Sequence, residues 1–252
     1  MLSEGEQSLF TSLELSRADR YWDDNRSLQQ DDCTSNDRAL GLRYEYGWSY
    51  YHTLFAATSF EMDRCGTEKA TGIPDLKLGM RGRVNPFRNG HTWELALILP
   101  VNGDRLDRRS PGNGLFGIEA GLYRSYRDDP YQRTTTSDRQ AVWGWGAGIN
   151  LWSEAAGEEL WGELSWRKPF SGPWRFRVRL VGRYSLGGGD AGSGGIFDRR
   201  KTIDYDRLGV GARISRQLNR GSSLGLGLEQ AVWGRNTASD TILKLDFHRS
   251  WD

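Results

Sequence analysis

The feature that most constrains this chain is an alternation of apolar with polar or small residues that recurs from one end to the other. In RFRVRLVGRY, residues 175–184, apolar side chains alternate with arginines. A period of two is the pattern of β-strands, and no stretch of roughly eleven residues or more has the helical spacing. About twelve segments of roughly ten residues follow the pattern, near 8–21, 38–48, 51–62, 73–84, 91–101, 114–125, 141–152, 159–167, 173–186, 204–217, 222–234 and 240–251.

The composition distinguishes between two kinds of all-β protein. Only 37% of the 252 residues are hydrophobic, yet the chain has 11 Trp, 10 Tyr and 32 Gly. A membrane β-barrel combines these features, because its interior is polar, its lipid-facing band is one residue thick, and Trp and Tyr collect at both interfaces. We predict one domain, residues 1–252, that forms a single antiparallel transmembrane β-barrel with short periplasmic turns and longer extracellular loops. A soluble β-barrel or sandwich is the alternative.

The chain shows neither a membrane-spanning helix nor a signal peptide. Its longest apolar run, LALILPV at 95–101, is far shorter than the roughly 18 residues that a spanning helix needs. The start, MLSEGEQSLF, lacks the basic and apolar regions of a signal peptide. We expect a mature exported protein of the bacterial outer membrane in which Met1 was added for expression. A cytosolic protein with a native Met1 is the alternative.

The charge balance restricts the partners of the protein. Lys and Arg number 34 and Asp and Glu number 33, so the net charge is near zero. This argues against a nucleic-acid partner, because a general nucleic-acid binder carries a basic excess. We expect a monomer whose partners are the outer-membrane lipid, including lipopolysaccharide, and a polar solute or oligosaccharide.

The predicted connections alternate in character, as in membrane barrels. With the N-terminus in the periplasm, the odd connections face outward, and most are charged or rich in glycine. They lie at 22–37, 63–72, 102–113, 153–158, 187–203 and 235–239. The even connections, such as WSYY and KPFSGP, are mostly short. The connection at 126–140 is longer than this topology expects.

Aromatic residues cluster at the predicted strand ends, as two interfacial belts would require. A soluble sandwich would place Trp in the middle of its strands instead. The predicted outer belt contains Tyr21, Trp22, Phe60, Trp152, Trp161, Tyr205 and Trp233. The predicted inner belt contains Trp48, Tyr50, Phe87, Trp93, Trp143, Trp166, Phe170, Trp174 and Trp251.

Cys33 and Cys65 are the only cysteines. They fall in the first and second outer connections, which are neighbours because a tight turn joins the second and third strands. A disulfide between them is predicted in an oxidising compartment, and two free thiols are the alternative. Too few other ligands lie in these connections for a metal site.

We expect no catalytic, cofactor or metal site. A phospholipase, the best-known enzyme on a barrel of this size, needs a Ser and a His close together near the outer rim. His52, His91 and His248 map to inner strand ends, and none has a serine in a usable outer position. No phosphate-binding or dinucleotide-binding glycine pattern leads from a strand into a helix. The sequence therefore predicts a protein that is not an enzyme.

The alternation turns many charged side chains toward the lumen. Two interpretations remain open: the two signs pair and hold the barrel closed, or an arginine ladder on the ninth and tenth strands guides anionic solutes. The predicted lumen and selectivity residues are Arg175, Arg177, Arg179, Arg183, Arg207, Arg213, Arg43, Glu45, Lys77, Arg81, Glu119, Glu163 and Glu229. Glu14, Glu94, Lys244 and Asp246 belong to the same inward set.

Three short motifs resemble a known family. EYGWSYYHTLF at 45–55, GIPDLKLG at 72–79 and LPVNGD at 99–104 are similar to the outer-membrane proteins named after the meta-pathway of phenol degradation. Trp48 and Ser49 replace the small pair usual in the first motif, and Pro74 lies in the second. The resemblance implies an outer-membrane barrel and a role in transport. The arginine ladder is also similar to that of porins for acidic oligosaccharides.

The expected function is therefore a channel for small or oligomeric polar solutes, including anions. Passage would be passive, with selectivity set by the lumen charges and by outer loops such as 187–203. Two alternatives stay open. One is an exit port for a secreted polysaccharide that works with periplasmic partners, and the other is a plugged structural barrel.

Overall fold

The computed structural model of this protein describes residues 1–84, 91–102, 115–124, 142–153, 158–186, 205–219 and 221–251. No helix in these ranges is long and apolar enough to cross a membrane. The strands are β1 (Gln7–Trp22), β2 (Leu28–Ser49), β3 (His52–Cys65), β4 (Glu68–Gly72), β5 (Asp75–Arg83), β6 (His91–Pro100), β7 (Gly117–Arg124), β8 (Val142–Trp152), β9 (Glu159–Ser171), β10 (Trp174–Ser185), β11 (Asp206–Asn219), β12 (Ser222–Arg235), β13 (Thr237–Ala238) and β14 (Thr241–Trp251).

Twelve of these strands form one closed antiparallel sheet, which confirms the predicted barrel. Each pairs with the next long strand along the chain, and β1 closes the circle by pairing with both β2 and β14. The closing register runs from Gln7 opposite Trp251 to Arg17 opposite Thr241. Closure leaves no unpaired edge, which is what a sheet in lipid requires. The short strands β4 and β13 add to β3 and β1.

The alternation sorts the side chains between the two faces of the barrel. Leucines such as Leu42, Leu164 and Leu226 point outward and are exposed. Charged residues such as Glu94 and Asp246 point inward and are buried. This is the reverse of a soluble protein, in which charged side chains are almost never fully buried, and it matches the apolar outer band of a membrane barrel.

Three predicted outer connections prove to contain strands, and one of them, 235–239, contains the end of β12 and all of β13. The prediction of a connection at 22–37 is wrong, because β1 continues to Trp22 and β2 begins at Leu28. The turn between them suits its residues: Arg26 has a φ of 61°, and the Asp23 carboxylate accepts the backbone N–H groups of Asn25 and Ser27. The connection at 63–72 contains the end of β3 and all of β4. The connections at 102–113, 126–140 and 187–203 lie outside the described residues, except for Asn102.

Two sets of contacts tie the strands together at the end of the barrel that carries the β1–β2 turn, here called the upper end. A disulfide joins Cys33 on β2 to Cys65 on β3, with 5.7 Å between their Cα atoms. The buried carboxylate of Asp206 pairs with Arg26 at 3.2 Å and with Arg235 at 3.0 Å. The β1–β2 turn is thereby fastened to β11 and β12.

The aromatic residues follow the prediction better at the lower end, where β1 begins, than at the upper end. Trp48, Tyr50, Trp143, Phe170, Trp174 and Trp251 are exposed there, and Phe87 lies outside the described residues. At the upper end Phe60 and Trp233 are exposed, but Trp22 is buried. The assignment of Trp161 to the outer belt is wrong. It shares the inward face of β9 with Glu159 and Glu163, because odd-numbered residues of that strand point into the barrel.

Replacement of Leu226, on the outer face of β12, by Arg is expected to lower the free energy of unfolding by about 3 kcal/mol, because it places a charge in the lipid band. Leu28→Arg is the matched control, since Leu28 is also exposed but begins β2 at the upper end, next to the β1–β2 turn. Urea titration of the protein in lipid vesicles measures both. Equal effects would contradict a lipid band at Leu226.

Candidate functional site

The barrel encloses a cavity of about 550 Å³. This volume lies in the range of roughly 300–1,000 Å³ typical of small-molecule sites. Of the predicted lumen residues, all but Arg175 line it: Arg43, Glu45, Lys77, Arg81, Glu119, Glu163, Arg177, Arg179, Arg183, Arg207, Arg213 and Glu229. Arg175 lies toward the lower end of β10, where its Nη2 donates to Gln217 Oε1 at 3.1 Å.

Four charged residues of β2, β5 and β6 form one cluster on the cavity wall. Arg43 Nε lies 2.6 Å and Arg81 Nη2 lies 2.9 Å from Glu45 Oε1. The same arginines reach Glu94 Oε2 at 3.3 Å and 3.1 Å. The Glu94 side chain is only 1% exposed. Each carboxylate thus contacts both guanidinium groups, which is the arrangement that makes burial of charge tolerable.

The arginine row on β10 and β11 is also accompanied by carboxylates. Arg177 pairs with Glu163 on β9, and Arg179 pairs with Glu229 on β12. Arg207 contacts Glu229 at 3.0 Å and Asp240 at 3.1 Å.

Three further pairs line the lumen. Arg213 Nε lies 2.9 Å from Asp246 Oδ2 on β14. Lys244, also on β14, pairs with Glu14 on β1, and Lys77 on β5 pairs with Glu119 on β7 at 2.7 Å. Among the described residues, Arg175 is the one member of the predicted arginine row with no carboxylate within 4 Å.

Arg183 has the loosest pairing of the row. Its Nη1 lies 3.5 Å from Glu159 and donates to the Tyr205 hydroxyl at 3.2 Å. Glu159 is already held by the Asn150 amide at 2.8 Å and by the Tyr205 hydroxyl at 2.5 Å. The Arg183 side chain is 49% exposed. Arg183 lines the cavity, and its ion pair is the longest of the row.

Several partners of the lumen residues were not among the predicted selectivity residues. Glu94 belongs to the inward set, so the alternation was a sufficient signal for it. Glu159 and Trp161 share the parity of Glu163 on β9, and the same rule could have found them. Tyr205 and Asp240 lie just outside β11 and β14 but inside the predicted segments 204–217 and 240–251, with the parity of Arg207 and Asp246. The same rule could have found them, although Tyr205 was assigned to the outer belt.

The first residues of the chain enter the lower end of the lumen. Met1 and Leu2 line the cavity, and Leu2 is buried. The Leu2 N–H donates to Thr53 Oγ1 at 3.3 Å, and backbone hydrogen bonds join Gly5 and Glu6 to Gly47. A Cβ at position 47 would lie 1.8 Å from the carbonyl oxygen of Ser3, so only glycine permits this approach.

The three histidines lie toward the lower end of the barrel. His52 Nδ1 lies 3.0 Å from Ser49 Oγ at the lower end, in the turn between β2 and β3. The His91 ring lies 6.1 Å from that of Trp145, and His248 is buried on the inward face of β14. No three His, Cys, Asp or Glu side chains among the described residues form a group that could hold a metal ion.

No family model matches this chain, so its resemblance to the family named after phenol degradation stays a prediction. Solved structures are similar to it over nearly their whole length. An outer-membrane channel from Pseudomonas putida F1 has a TM-score of 0.74 at 12% identity, with 100% of this chain and 97% of that chain covered.

Two further solved structures are less similar. The translocator domain of the autotransporter NalP from Neisseria meningitidis has a TM-score of 0.57 at 9% identity, with 97% of this chain and 88% of that one covered. The monoaromatic hydrocarbon channel CymD has a TM-score of 0.53 at 9% identity, with 99% and 89% covered. At these identities the likeness shows the outer-membrane barrel fold alone.

Replacement of Glu94 by Gln is expected to lower the free energy of unfolding by about 3 kcal/mol, because Arg43 and Arg81 lose a carboxylate in a buried cluster. Glu163→Gln is the matched control and should cost less, since the Glu163 side chain is 28% exposed. Urea titration in vesicles measures the difference between the two variants. A Glu94 variant as stable as the control would show that the cluster contributes nothing to stability.

Proposed function

We propose that this protein is an outer-membrane channel through which small polar solutes, including anions, pass by diffusion. The observation that carries the proposal is the charged cavity of about 550 Å³ inside a closed barrel with an apolar outer face. A purely structural barrel gains nothing from such a space. The proposed orientation places the lower end in the periplasm and the β1–β2 turn outside the cell. We further propose that the protein is a monomer and that it is not an enzyme.

The distribution of charge supports a preference for anions. In the described part of the chain, nine basic side chains and six carboxylates line the cavity. Glu94, Glu159 and Asp240 complete the ion pairs but do not line it. A solute in the cavity therefore lies next to more basic than acidic side chains. The two kinds of charge balance only when the three carboxylates outside the lining are included. Charge displayed in this way sets the selectivity of pores.

Planar-bilayer recording tests the channel itself. The purified protein should insert with discrete conductance steps in KCl solution, because ions can enter a charged, water-accessible lumen. Heat-denatured protein, which lacks the barrel, is the control. The absence of conductance steps from correctly folded protein would refute the proposal.

The double variant Arg177→Ser, Arg179→Ser is expected to shift ion selectivity toward cations, because it removes the partners of Glu163 and Glu229 from the cavity wall. The reversal potential in a KCl gradient measures the shift. The variant Arg216→Ser, Arg249→Ser removes the same net charge from exposed positions of β11 and β14 that do not line the cavity. Unchanged selectivity in the first variant would show that the arginine row does not select ions.

A barrel closed by residues 1–5 is the second candidate. Their position favours it, since Met1 and Leu2 line the lower part of the cavity and Leu2 is buried there. The two candidates differ in the same recording: a closed barrel inserts into the bilayer without conducting, whereas a channel conducts.

A further inference from the structure

Two aromatic side chains form a continuous surface inside the lumen. Tyr123 on β7 and Trp161 on β9 both line the cavity, with their ring centroids 5.4 Å apart and their planes inclined by 36°. We call this surface the aromatic platform. It lies among charged residues. Because it is apolar, it takes no part in their ion pairs.

A wall of glycines supports the platform from behind. A Cβ at Gly148 would lie 2.5 Å from the Trp161 indole, and one at Gly121 would lie 2.7 Å from it. A Cβ at Gly146 would lie 2.7 Å from the Tyr123 ring. The two rings thus lie against backbone that carries no side chains. Trp161 also lines the cavity, so part of its side chain is accessible from the lumen.

Polar groups lie next to the platform. Trp161 and Arg183 are directly opposite each other on β9 and β10, and both line the cavity. The indole Nε1–H of Trp161 is buried and has no hydrogen-bond acceptor among the described residues. A buried donor without an acceptor is costly.

We infer that the aromatic platform and Arg183 form a binding site, within the proposed channel, for solutes that combine a flat apolar ring face with a carboxylate. The ring stacks on Trp161 and Tyr123, because aromatic side chains bind flat apolar surfaces through their faces. The carboxylate accepts hydrogen bonds from Arg183, whose planar fork suits it. This inference rests on the proposed function, since it assigns the site to the path of the solute.

Aromatic acids and sugar acids both have this chemistry. A benzoate ring presents an apolar face on either side, and the pyranose ring of glucuronate presents its C–H groups on one side. The two probes therefore distinguish the source of the ligand. Block by benzoate alone identifies aromatic acids, block by glucuronate alone identifies sugar acids, and block by both shows that the shared chemistry suffices. Block by neither overturns the inference.

The experiment measures how each acid reduces the ionic current through single channels in KCl solution. We expect saturable block of the wild-type protein. In Trp161→Leu the half-saturating concentration should rise by about fivefold, because the stacking surface is lost. Trp166→Leu is the matched control, since Trp166 lies on the same strand β9 but faces outward against Phe176. Equal block in the Trp161 variant and the wild type would overturn the inference.

Arg183→Gln separates the two parts of the site. It should weaken block by the acids but leave block by neutral benzyl alcohol unchanged, because only the acids carry a group that Arg183 recognises. Equal block of this variant and the wild type by the acids would remove Arg183 from the site.

Saturation-transfer NMR of the same ligands with the protein in nanodiscs makes the result independent of conductance. Binding that requires Trp161 in a protein that does not conduct would support the site and refute the channel. Conductance without such binding would refute the site alone.

Discussion

Backbone hydrogen bonds between β1 and β14 close the sheet, and the rest of the structure depends on this closure. A strand in lipid cannot leave its N–H and C=O groups unpaired, so the sheet must meet itself. Once it does, one face of every strand encloses a narrow space and the other faces lipid. The period of two along the chain then assigns each side chain to one of these two environments.

Closure of the sheet also confines charged side chains to a narrow lumen. The inward positions hold arginines, lysines and carboxylates whose solvation by bulk water is reduced, and such groups are tolerated when they contact one another. The structure meets this condition with pairs that join strands distant in the sequence, such as Arg43 with Glu94 and Arg179 with Glu229. The same pairs hold the wall together and leave guanidinium groups facing the cavity.

Strand positions and side-chain directions could be predicted from the sequence because both follow from local alternation. Which acid pairs with which arginine could not, since it depends on the register of strands such as β2 and β6 that are not neighbours. The direction of Trp161 was open to the same parity rule as Glu163, but its place near a strand end suggested an interfacial belt. The strand character of residues 28–37 was hidden by their polarity, which resembles that of a loop.

At the height of Trp161, the width of the lumen and its charge depend on different residues. Width at this height depends on one large side chain lying against bare backbone at Gly121 and Gly148, whereas charge depends on ion pairs formed by other residues. Replacement of Trp161 by a smaller residue would widen the lumen without removing a member of any of those pairs. Evolution can therefore adjust the size limit of this barrel through a single codon, independently of its electrostatic character.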